Sequence, residues 1–125
     1  MTQRILVIDD EKAIHVIVRA SLNTTAGWDV LIADSATRGL EIAQIEQPNA
    51  ILLDVMMPEL DGPAVFRKLQ AKPSTQNIPV IFLTAKARNG EKRVFESMGV
   101  AGVITKPFEP DQLANQIKAL LQWPD

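Results

Sequence analysis

The side chains here that could do chemistry carry oxygen or ammonium groups. The chain has no Cys, and its only His is His15. Thiolate nucleophiles, Cys-built zinc or iron–sulfur centres and His-rich metal cages are therefore excluded. The adjacent carboxylates Asp9 and Asp10, the carboxylate of Asp54, the hydroxyl of Thr84 and the ammonium of Lys106 each close a short strand-like run. If those runs end along one edge, three carboxylates, a hydroxyl and an ammonium converge there. Clustered carboxylates repel one another, so at least one pKa rises. A hard divalent cation relieves that repulsion. With oxygen ligands alone, Mg²⁺ is the natural choice and Mn²⁺ the alternative. Mg²⁺ held this way keeps room for a phosphoryl oxygen, while Lys106 adds charge and Thr84 a hydrogen bond to the same anion. With Asp54 as attacking oxygen, the set describes in-line phosphoryl transfer onto a carboxylate, where catalysis is positioning plus charge neutralisation.

Apolar runs and helical patterns alternate five times in a way that supplies such an edge. Ile5 to Ile8 is an unbroken apolar run suited to a strand buried on both faces. From Glu11 to Leu22, Ile14, Ile17, Val18 and Leu22 fall at helical spacing, and Gly27 closes the segment. Trp28 to Ala33 predicts a second strand, and Asp34 and Ser35 offer an N-cap to a helix facing inward through Ala36, Leu40 and Ala43. Ala50 to Leu53 predicts strand three. A turn-rich loop follows, with Asp61-Gly62 as its clearest turn signal, and then a helix carrying Val65 and Leu69. Val80 to Leu83 and Val103 to Thr105 predict strands four and five. Between them lies a charged amphipathic stretch, Arg88 to Met98, with Val94, Phe95 and Met98 expected inward. Leu113, Ile117, Leu120 and Leu121 mark the last helix. Five strand–helix units without a hairpin signal imply a parallel sheet with helices on both faces. Open sheets of this kind bind ligands at the carboxyl ends of their strands, where the five polar residues stand.

At 125 residues the chain is read as a single domain over 1–125, with no linker or effector domain expected after Leu121. The formal net charge of −2 argues against a nucleic-acid module. No apolar run approaches the length of a membrane span, and Ile5 to Ile8 is too short for a signal-peptide core, so a cytoplasmic location is expected.

In order along the chain stand Ile5-Leu6-Val7-Ile8-Asp9-Asp10-Glu11, then Leu52-Leu53-Asp54-Val55-Met56-Met57-Pro58 with Asp61-Gly62, then Leu83-Thr84-Ala85-Lys86, and Thr105-Lys106-Pro107-Phe108. Each piece alone is common. Together, in this order and at strand ends, they resemble a bacterial two-component response-regulator receiver domain of the chemotaxis-regulator kind along nearly the whole chain. The resemblance implies a flavodoxin-like (βα)5 three-layer sandwich with strand order 2-1-3-4-5. It also implies that Asp54 is the phosphoacceptor, and that Asp10 and Asp54 ligate Mg²⁺ directly. Asp9 would ligate directly or through water, and the Met56 backbone carbonyl would complete the set. Thr84 and Lys106 would hold the phosphoryl oxygens, with a cis Lys106–Pro107 bond aiming the Lys. A histidine kinase (hybrid kinases included) or a small acyl phosphate would donate the phosphoryl group. Output would pass to another protein, without direct nucleic-acid contact or membrane insertion, from a monomer or a phosphorylation-dependent dimer.

The resemblance is not complete. Many members carry an aromatic residue three positions before the Lys; here that position is Val103, which cannot make an aromatic rotamer switch. Met56 and Lys86, two residues after Asp54 and Thr84, occupy positions that tune phosphoryl lifetime in the family. The Met56 thioether orients water poorly and implies slow self-dephosphorylation, whereas Lys86 is expected in solvent. Read without the resemblance, Asp9 and Asp10 could be helix caps, Asp54 a turn residue and Lys106 a surface Lys. His15 is expected solvated or half-buried, Trp28 and Trp123 as packing residues, and the four Phe in or near the core. Three alternatives compete with the phosphorylated switch. An aspartyl-phosphate phosphatase would place two Asp at alternate positions after strand one. A flavin carrier would need a Ser/Thr/Gly-rich loop where Asp9 to Lys12 stand. A pseudo-receiver would act as a binding module without phosphorylation.

Overall fold

The structure, a computed structural model, describes residues 2–85 and 89–124. Lys86 lies outside the described residues. Five strands, β1 (Arg4–Ile8), β2 (Asp29–Ala33), β3 (Ala50–Asp54), β4 (Val80–Thr84) and β5 (Gly102–Thr105), form one parallel sheet in the order β2-β1-β3-β4-β5. The helices between and after them are α1 (Lys12–Ala26), α2 (Ala36–Glu46), α3 (Gly62–Gln70), α4 (Asn89–Ser97) and α5 (Leu113–Leu121). The expected three-layer sandwich and strand order are those observed.

The central strands are buried on both faces, which is why they read as continuous apolar runs. Alternation along them divides the core in two. Leu6, Ile8, Ile51, Leu53, Val80 and Phe82 face α2, α3 and α4, whereas Ile5, Val7, Leu52, Ile81 and Leu83 face α1 and α5. Each fully buried Leu or Ile contributes about 1.5–3 kcal/mol by leaving water. Phe82 anchors the first layer, with Phe66 and Phe95 edge-on to it at 6.1 and 5.1 Å between ring centroids.

Local chemistry shifts some boundaries. Helix α1 runs one turn past Leu22, because Thr25 Oγ1 donates to Ser21 O and Gly27, at φ 69°, closes the end with its N–H on Asn23 O. Strand β2 starts at Asp29, leaving Trp28 as a buried packing residue edge-on to Trp123. Ser35 alone caps α2, accepting from Arg38 N–H, so Asp34 is not the cap. The Asp61-Gly62 pair opens α3: Asp61 accepts from Ala64 N–H, and Gly62 packs so tightly that a Cβ would lie 2.8 Å from Val55 Cα. Val94 is not inward. It is 59% exposed, while Phe95 and Met98, one turn apart, hold the stripe that meets the sheet. His15, expected solvated or half-buried, is instead buried, with its ring bonded to the backbone of Asp9.

The register matters most for the site. Ile8 pairs with Leu53, and Asp54 with Leu83, so Asp9 and Asp54 leave neighbouring strands side by side. Thr84 pairs with Thr105, and Lys106 N–H donates to Thr84 O at 2.7 Å.

Candidate functional site

Asp9 (0% exposed), Asp54 (3%) and Thr84 (4%) are buried polar residues at the carboxyl edge of the sheet. Lys106 reaches them from β5. Its Nζ donates to Asp9 Oδ2 at 2.8 Å and to Glu11 Oε1 at 3.3 Å, and stands 3.4 Å from Asp54 Oδ1. Main-chain amides fix the carboxylates further: Glu11 N–H donates to Asp9 Oδ1 at 2.9 Å, and Met56 N–H to Asp54 Oδ1 at 3.2 Å. The Lys106–Pro107 peptide is cis. Among the described residues, no buried side-chain nitrogen or oxygen lacks a hydrogen-bond partner.

The structure gathers Asp9, Asp54 and Lys106 as one cluster, with Thr84 buried on the next strand. It does not gather Asp10, which is exposed and lines a groove beside Asp34 and Ser35. Glu11 takes the third place instead: carboxylate oxygens of Asp9, Glu11 and Asp54 lie within 4.8 Å of one another. Sequence reasoning did not single out Glu11. The chain bends at Asp10 before α1 begins, which leaves Asp10 exposed while the Glu11 carboxylate reaches Lys106 at 3.3 Å. Met56 is 75% exposed beside the cluster, and Val103 packs partly buried against the Phe82 layer.

Three carboxylates against one ammonium leave the cluster anionic. Burial, with the neighbouring Asp9 charge, raises the Asp54 carboxyl from 3.8 to about 6, with Lys106 and the Met56 amide pulling the other way. For Lys106, burial opposes the charge, but the hydrogen bond to Asp9 and the surrounding carboxylates outweigh it and hold its pKa above the usual value. An all-oxygen, net-anionic, partly open donor set of this kind fits a hard divalent cation.

Comparison with known proteins gives the family. The family model "Response regulator receiver domain" matches residues 5–118. The chain belongs to that family. Receiver domains are the phosphoacceptor modules of two-component response regulators, and are signalling devices, not classical enzymes. This receiver is 35% identical over 122 residues to the alkaline phosphatase synthesis transcriptional regulatory protein PhoP of Bacillus subtilis, covering 98% of the chain and 50% of that protein. It is 37% identical over 122 residues to the DNA-binding dual master transcriptional regulator RpaA of Synechocystis sp., covering 98% of the chain and 50% of the relative. The receiver thus spans about half the length of these curated relatives. Its backbone is similar to the chemotaxis response regulator CheY4 of Vibrio cholerae, with a TM-score of 0.88, 25% identity, and 96% and 99% of the two chains covered. The Francisella response regulator 1452 receiver domain gives a TM-score of 0.86 at 28% identity over 97% and 98%. No helix among the described residues is long and apolar enough to cross a membrane.

Proposed function

We propose that this receiver accepts a phosphoryl group on Asp54 from the phosphohistidine of a histidine kinase, free-standing or hybrid, in a Mg²⁺-dependent reaction. The observation that carries this reading is the Asp54 carboxylate, held 3.4 Å from Lys106 Nζ inside an anionic cluster at the sheet edge. In the transfer, an Asp54 oxygen forms the new O–P bond as the P–N bond to the donor imidazole breaks, and that imidazole takes up a proton. Asp54 must be ionised to attack, and in the absence of a cation its burial and the Asp9 charge oppose that ionisation. Lys106 exchanges part of its carboxylate contacts for a phosphoryl oxygen, and the Thr84 hydroxyl donates to another. The Met56 amide keeps the attacking group oriented. Asp9 and Asp54, with the Met56 carbonyl and with Asp10 drawn in from its exposed position at the rim, would hold Mg²⁺ (or Mn²⁺), which would supply the positive charge that lets two anions approach.

The phosphorylated form signals by binding another protein, from the cytoplasm, as a monomer or phosphorylation-dependent dimer. The transcriptional relatives are proteins twice this length, and a net charge of −2 argues against nucleic acid as the receiver's own partner. Intact-mass spectrometry after incubation with acetyl phosphate tests the reading. A Mg²⁺-dependent gain of one phosphoryl group, absent in Asp54→Asn, is expected. No gain under conditions that phosphorylate another receiver would make this a pseudo-receiver.

A further inference from the structure

Asp9 is fully buried where the chain has left β1 and not yet entered α1. Its N–H donates to Ala33 O at 3.1 Å, extending the β1–β2 ladder, and its carboxylate accepts from Glu11 N–H and from Lys106. Its carbonyl falls between ladder and helix: the amides of Ile14 and His15 both turn back to Glu11 O, at 3.1 and 3.3 Å. A side chain meets it instead. His15 Nε2 lies 2.6 Å from Asp9 O, six residues away, and the ring is 8% exposed. A carbonyl oxygen only accepts, so Nε2 carries the proton and donates. An apolar residue at this position could pack, but it would leave the Asp9 carbonyl buried without that donor.

We propose that His15 is a positioning residue for the acidic site. By tying the Asp9 carbonyl to the second turn of α1, it holds the Asp9 carboxylate, and with it Lys106, at the spacing a divalent cation and a phosphoryl group require. The inference rests on the Mg²⁺-dependent phosphoacceptor reading and adds a residue to it. Groups that orient metal ligands without touching the metal typically cost about 10–100-fold in metal affinity when removed.

The test uses ¹⁵N-labelled protein at pH 8. Long-range ¹H–¹⁵N correlation on the unmodified chain should find the His15 proton on Nε2. A MgCl₂ titration followed at the Asp10 and Met56 amides should then saturate about 10-fold more weakly in His15→Leu. In His15→Gln, whose side-chain NH₂ can take the place of Nε2–H, affinity should recover to within about 3-fold of the unmodified chain. A proton on Nδ1 alone overturns the proposal without any variant. A Leu variant that titrates like the unmodified chain, or Leu and Gln variants weakened alike, overturns it and leaves the phosphoacceptor reading standing. An unmodified chain whose amides ignore MgCl₂ overturns both.

Discussion

The two ends of the sheet use ion pairs in opposite ways. At the amino edge, Arg4 reaches Glu46 Oε1 at 2.6 Å, with the two side chains 39% and 43% exposed. Its backbone N–H donates to Asn49 Oδ1 nearby. At the carboxyl edge, Lys106 is 11% exposed and Asp9 0%, with two more carboxylates against the same ammonium. The first pair sits in water, where solvent competes for both partners. The second is desolvated and under-neutralised, so its charges are held at a cost that a cation can relieve. The difference teaches where the molecule stores reactivity: in buried charge left in excess, not in the number of salt bridges.

Substitutions at the two ends should separate them. The largest loss is expected for Lys106→Met, which leaves Asp9 and Asp54 buried without their ammonium. Urea unfolding at pH 8 should show a loss of about 3 kcal/mol. Asp54→Asn should act in the opposite direction. A folded pKa of about 6 against 3.8 means that the folded protein holds the Asp54 proton more tightly than the unfolded chain does. Ionised Asp54 therefore opposes folding above pH 6, by up to roughly 3 kcal/mol, and that penalty fades as pH falls from 6 toward 4. The Asn variant should be more stable than the unmodified chain at pH 8 and equal to it near pH 3.5, by urea unfolding at both. If the gain persisted at low pH, it would come from packing and not from charge. Arg4→Met at the other end should cost less than about 1 kcal/mol, and less still in high salt. The smallest change in stability is expected for Met56→Asn, because the side chain is exposed. That variant should instead shorten the phosphorylated lifetime several-fold, by orienting water beside the phosphoryl group, as intact mass followed over time would show.

Much of this was legible in the residues. Unbroken runs such as Ile51-Leu52-Leu53 announce strands covered on both faces, and Asp9, Asp54, Thr84 and Lys106 at their ends announce the reactive edge. What escaped was set by backbone direction or tertiary contact. Glu11 enters the cluster because the chain bends at Asp10 before α1, a local turn that composition does not reveal. His15 is buried because Asp9 O needs a donor at that point in three dimensions. Val94 turns outward because the inward stripe is one residue narrower than its apolar neighbours suggest.

The most direct measurement is the ¹³C-carboxyl titration of Asp54 by NMR, with and without MgCl₂. The account predicts a midpoint near 6 in the absence of metal and a clear fall when Mg²⁺ is added. A midpoint close to 4 that ignores MgCl₂ would contradict the claim that this edge holds carboxylate charge in excess, ready for a cation and a phosphoryl group.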